Sequence, residues 1–140
     1  MRRQAGMTAI FLCLFALAAI GAPIMPFNAH SVTHVFQKNE AGGIQQEVAK
    51  NPDDKDLVAA IRTHLEAEAQ RFGDGQYSDP AKAHGKPMPG VKCLSAIKPG
   101  QMAITYRNVA GGAAVDYVGR DAATVDAIHK WLDAEISDLE

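Results

Sequence analysis

"NEAGG" occupies Asn39–Gly43 and "NVAGG" occupies Asn108–Gly112, near-copies of one loop in a chain of 140 residues. Each is flanked by segments with the composition of strands. Before the first, Val32–Lys38 ("VTHVFQK") is rich in β-branched and aromatic residues. After it, Ile44, Gln46 and Val48 alternate with Gln45 and Glu47, which predicts a strand whose wet face carries Gln45 and Glu47. Around the second loop Met102, Ile104 and Tyr106 alternate, and so do Val115 and Tyr117. Asn and Gly tolerate positive φ, so each loop predicts a hairpin turn in which the paired glycines take that conformation.

An amphipathic helix follows each hairpin. In "NPDD", Asn51 offers a cap, Pro52 suits a first turn, and Asp53 and Asp54 suit the positive end of the helix dipole. Leu57, Val58, Ile61, Leu65, Ala69 and Phe72 then share one face until Gly73 and Gly75. In the second half Asp121 offers the cap, and Val125, Ile128, Leu132 and Leu139 share a face. A shift of 69 aligns the two "N-x-A-G-G" loops, and a shift of 67 aligns Val58, Ile61, Leu65 and Glu68 with Val125, Ile128, Leu132 and Glu135. One hairpin with one helix cannot bury its own apolar face, whereas two such units can share a sheet. The expected fold is α+β, a duplicated β-β-α unit. It forms a four-stranded antiparallel sheet with two long helices on one face, and a central helical lid. The expected pseudo-repeats run over 32–72 and 101–139, separated by an unrepeated insert at 73–100.

The N-terminus carries a different signal. Arg2 and Arg3 precede an uncharged apolar run from Met7 to Ala22. That pattern predicts a signal peptide within residues 1–29, ahead of a single domain at 30–140, and hence a periplasmic or secreted protein. The alternative is an uncleaved inner-membrane anchor, and a membrane is an expected partner only in that case. Without Arg2 and Arg3, the 14 basic residues fall to 12, against 16 acidic ones. No basic stripe remains, so nucleic acid is not an expected partner. Cys93 is then the single cysteine, and stability must come from an ordinary core.

The insert collects the chemistry-bearing side chains His84, Met88 and Cys93. Ser78 or Asp79 offers a cap for a short helix from Pro80 to Gly85, and Pro89 opens another holding Val91, Leu94 and Ile97. Proline-flanked Met88 and His84 form a soft pair. His64 is expected as a third group where the lid crosses the first long helix, and Cys93 as a fourth. Such a set suits monovalent copper, and a His/Met pair is also an axial set for haem. His64 and Glu68 stand one turn apart, able to meet a common metal or each other. His34 shares its strand face with Val32 and Phe36 and is the last metal candidate. Each has a plainer reading: His34 as a half-buried hydrogen-bonding residue, His64–Glu68 as an ion pair, His84 at a helix end, Met88 as filler, and His129 as a solvated surface residue. The sequence contains no C-x-x-C-H, H-E-x-x-H, phosphate loop, dinucleotide fingerprint or nucleophile elbow. The expected function is therefore binding of a small ligand or metal, with copper or haem handled through the central His/Met segment. The alternatives are a small periplasmic enzyme or a protein-interaction module that uses the sheet face opposite the helices.

At "THVF", "RTHLEAEAQRF", "SDPAKAHGKPMPG" and "HKWLDAE" the chain resembles a family of small exported bacterial proteins often labelled aspartate carbamoyltransferase in genomes. The resemblance covers Thr33 to Asp138, and Cys93 stands where the family usually has an apolar residue. It implies export but lends no established activity. The label does not fit the residues: the Ser-Thr-Arg-Thr loop that grips carbamoyl phosphate is absent, and so is room for a second domain.

Overall fold

The computed structural model of the chain describes residues 26–77 and 89–138. Val32–Asn39 (β1) and Gly42–Ala49 (β2) make one hairpin, and Met102–Val109 (β3) and Gly112–Gly119 (β4) make the other. β2 pairs antiparallel with β4, which joins the hairpins into a four-stranded sheet of order β1-β2-β4-β3. Lys55–Gly73 (α1) follows the first hairpin and Ala122–Asp138 (α3) the second, with the short Pro89–Ser95 helix (α2) between them. The expected α+β architecture of two β-β units, each followed by a helix, is the one observed.

The strands repeat at a shift of 70, one residue more than the loop identities suggest. β1 and β2 meet at Asn39↔Gly42 across Glu40-Ala41, whereas β3 and β4 meet at Val109↔Gly112 across Ala110-Gly111. The glycines accordingly play different parts from those expected. Gly42 and Gly111 hold positive φ, at 148° and 72°, and Gly43 and Gly112 do not. Gly42 and Gly112 are the structural equivalents: a Cβ on Gly42 would strike the Tyr117 carbonyl oxygen, and one on Gly112 the Glu47 carbonyl oxygen.

That single residue reverses the faces of β2, because side chains alternate with period two. Gly43, Gln45, Glu47 and Ala49 point into the core, and Ile44, Gln46 and Val48 lie half-buried on the open face. The reading of Gln45 and Glu47 as the wet side is therefore overturned. They occupy the places held by Val115 and Tyr117 in the second unit.

Helix starts follow local chemistry. Asp54 caps α1, accepting from the Leu57 N–H at 3.0 Å. Asn51, the expected cap, instead closes a turn by accepting from the Asp53 N–H. Asp121 caps α3 as its sequence suggests, accepting from the Thr124 N–H at 2.7 Å.

Each helix packs across the seam between units. α1 lies mainly over β4 and β3, and α3 over β2, β4 and β1. Each helix thus covers the other unit's hairpin, which is the physical reason one unit needs the other. Equivalent side chains pin the two. On α1, Arg62 donates from Nε to the Gly112 carbonyl (3.1 Å) and from Nη2 to the Val109 carbonyl (3.2 Å). On α3, the residue 67 positions later, His129, holds the Asn39 carbonyl at 2.9 Å from Nε2. His129 is a surface residue, as expected, and from there it also pins the first hairpin.

Ile61, Leu65, Phe72, Val115, Tyr117, Ile128, Trp131 and Leu132 are the heart of the core. Burying each large side chain stabilises by about 1.5–3 kcal/mol. Phe72, Tyr117 and Trp131 meet in tilted and edge-on contacts. α2 packs on α3, where a Cβ at Gly90 would overlap the Trp131 backbone. The described part of the insert thus seats on α3, where the sequence suggested a crossing of α1.

Candidate functional site

The inward turn of β2 places two polar side chains beneath the helices. Glu47 is 2% exposed and Gln45 4% exposed, burial that demands hydrogen-bond partners. Gln45 Nε2 donates to Glu47 Oε1 at 3.3 Å, and Gln45 Oε1 accepts from the Tyr117 hydroxyl at 2.9 Å. Directly across on β1 stands His34, whose Nδ1 lies 3.5 Å from Glu47 Oε1. From above, α1 adds Glu68 and His64, with His64 Nε2 3.9 Å from Glu68 Oε2. Phe27 closes one side, its ring edge-on to His64 at 5.6 Å.

Charge in this seam is poorly compensated. Burial, reinforced by the nearby charge of Glu47, pushes the Glu68 carboxyl up to about 8, with hydrogen bonding from Gln45 and the charge of Arg71 opposing. Glu135, the α3 equivalent of Glu68, adds to the rise. His34 is raised above its ordinary value, first by its hydrogen bond to Glu47, while burial pulls the other way. Burial holds the Tyr117 phenol well above its usual range, so it acts only as a donor to Gln45. Glu47 Oε2 and Glu68 Oε1 are buried with no hydrogen-bond partner among the described residues. Two orphaned carboxyl oxygens in one core are costly unless something positive or donor-rich meets them.

Of the residues singled out from sequence, His34, His64 and Glu68 gather in this seam. Cys93 does not join them. It lines a groove of about 430 Å³ between α2 and α3 with Lys98, Asp121 and Thr124, and none of the three lines that groove. His84 and Met88 lie outside the described residues, as does the short helix expected at 80–85. Among the described residues, no three His, Cys, Asp or Glu side chains form a group able to hold a metal ion. Sequence reasoning missed Gln45, Glu47 and Tyr117. The signal that finds them is the alignment of Val32 and Phe36 with Met102 and Tyr106, which demands the shift of 70.

Comparisons of the chain with protein-family models, with curated proteins and with solved structures each find no match. Among the described residues, no helix is long and apolar enough to cross a membrane.

Proposed function

We propose that this chain is an exported binding protein for a small cation, held in the seam between α1, α3 and β2. The observation that carries the reading is a pair of buried carboxyl oxygens, Glu47 Oε2 and Glu68 Oε1, with no hydrogen-bond partner among the described residues. A cation would give both oxygens the partner that the described residues do not, and His34 and His64 stand beside them to tune its charge. Export is inferred from Arg2, Arg3 and the apolar run after them. The donor set is oxygen-rich, which suits a hard or borderline metal ion or an ammonium group better than monovalent copper. Because no three of these side chains gather closely enough to hold a metal ion, a metal here would take at most two protein ligands and fill its shell with water. The soft pair His84 and Met88 supports the copper and haem readings separately from this seam.

Calorimetric titration with zinc chloride and, separately, with methylammonium chloride distinguishes the two sources of positive charge. At least one is expected to bind, and Glu47→Gln or Glu68→Gln should weaken it by about tenfold or more. Failure of both probes, or binding untouched by both substitutions, overturns the reading. Titration with monovalent copper and with haem, followed by absorption, tests His84→Ala with Met88→Ala as a separate site.

A further inference from the structure

Among the described residues, the helices cover one face of the sheet and no element covers the other. Val35 and Val118, at 40% and 42% exposed, are the exposed large hydrophobics among the described residues, and both stand on that open face. Ile44 and Val48, turned outward by the register of β2, extend the apolar surface between them. Elsewhere the chain is dense in charge, with 21% charged residues and an excess of acid. On the open face the strands carry one charged pair, Arg107 and Asp116, which neutralise each other at 2.8 Å from Nε to Oδ2. The remaining outward positions are Val, Ile, Ala, Thr, Gln, Asn and Gly.

We propose that two copies of the chain associate reversibly through this open face. A surface with no net charge meets its own copy without repulsion, and depletion of charge is what distinguishes the centre of a protein interface. Arg107 and Asp116 can also pair across the copies, so the one polar feature is self-complementary. Four strands at a spacing of about 4.8 Å and eight residues rising about 3.3 Å each give a face of roughly 19 by 26 Å. Two such faces bury about 1,000 Å², the lower end of what specific association needs. Stacked sheets pack about 10 Å apart with their side chains interdigitated, and the short aliphatic and Thr side chains here suit that spacing. The small area makes the dimer weak and dependent on concentration.

Sedimentation velocity of the wild-type chain over about a hundredfold range of concentration should show a monomer passing into a dimer. Val35→Lys with Val118→Lys should remain monomeric throughout, with thermal unfolding checked alongside to confirm an intact fold. Should those lysines disturb the fold, concentration-dependent shifts confined to the methyl resonances of Val35, Ile44, Val48 and Val118 in the wild type give the same answer without a variant. A monomer at every concentration overturns the proposal. So does a dimer that survives both lysines, or methyl shifts on the helices in place of the sheet.

Discussion

β2 and β4 lie side by side at the centre of the sheet, and the duplication makes them equivalent, yet their inward faces differ. β4 presents Ala113, Val115, Tyr117 and Gly119, whereas β2 presents Gly43, Gln45, Glu47 and Ala49. The helices above repeat the contrast. α3 places Trp131, 1% exposed, where α1 places His64. Both units fill the core, through Ile61, Leu65 and Phe72 in the first and Ile128, Trp131 and Leu132 in the second, but at these equivalent positions the second supplies apolar side chains and the first polar ones. Duplication is what makes this affordable: the second copy stabilises a fold whose first copy carries buried carboxyls at a cost.

Truncating each member of the Trp131/His64 pair tests the comparison most sharply. Trp131→Ala should destabilise by about 3–5 kcal/mol, read as a shift in urea midpoint. His64→Ala, at the rim of the seam, should cost less than half as much. Equal losses would mean that both units carry core packing alike.

The glycine equivalence comes next. Gly42→Ala and Gly112→Ala should each destabilise by about 2–3 kcal/mol, because both would drive a Cβ into the backbone of a neighbouring strand. Chemical denaturation of the two variants side by side checks it. A tolerated Gly112→Ala would contradict the close approach of β4 to the Glu47 carbonyl, and with it the equivalence of Gly42 and Gly112.

The polar unit should also betray itself through pH. Glu68 keeps its proton in the folded state up to about 8, whereas the unfolded chain releases it near 4.5. The folded state therefore binds more protons between those values. Its stabilising contribution is whole below about 4.5 and is lost as pH rises toward about 8. His34, raised by Glu47, works in the same direction. Glu68→Gln should flatten the profile by up to about 4 kcal/mol between pH 5 and 8 and leave the variant the more stable form above that range. Melting temperatures across that range give the answer. A steeper profile in the variant would contradict it.

Smallest is the cap. Asp54→Ala, which removes the acceptor for the Leu57 N–H, should cost about 1 kcal/mol in thermal or urea unfolding without touching the pH profile.

Much of this fold could be read from residue order alone, since alternation in Met102–Tyr106 and the helical stripe from Val58 to Phe72 each have one physical reading. The inward face of β2 had two. Ile44 and Val48 look like core residues beside Gln45 and Glu47, and the repeated "N-x-A-G-G" reinforced that reading by matching loop letters. The turns use those letters differently: Gly42 leaves the first turn, while Gly111 sits inside the second. Loop identity therefore misplaced the register by one, and a slip of one exchanges the faces. The candidate site suffered most, because Glu47 and Gln45 seemed to belong to solvent. His34, His64 and Glu68 were visible as ligand-type residues, but only the β2 register shows what brings them together. Cys93 was grouped with them on chemistry alone, and the packing of α2 on α3 sends it to a different groove.

Glu68 is buried within the electrostatic reach of Glu47, and carbon-detected NMR of the glutamate carboxyls across pH reads that placement directly. One side chain should titrate with a midpoint of about 8 and vanish in Glu68→Gln. If every glutamate instead titrates in the ordinary range near 4.5, Glu68 faces water and the buried polar seam does not exist.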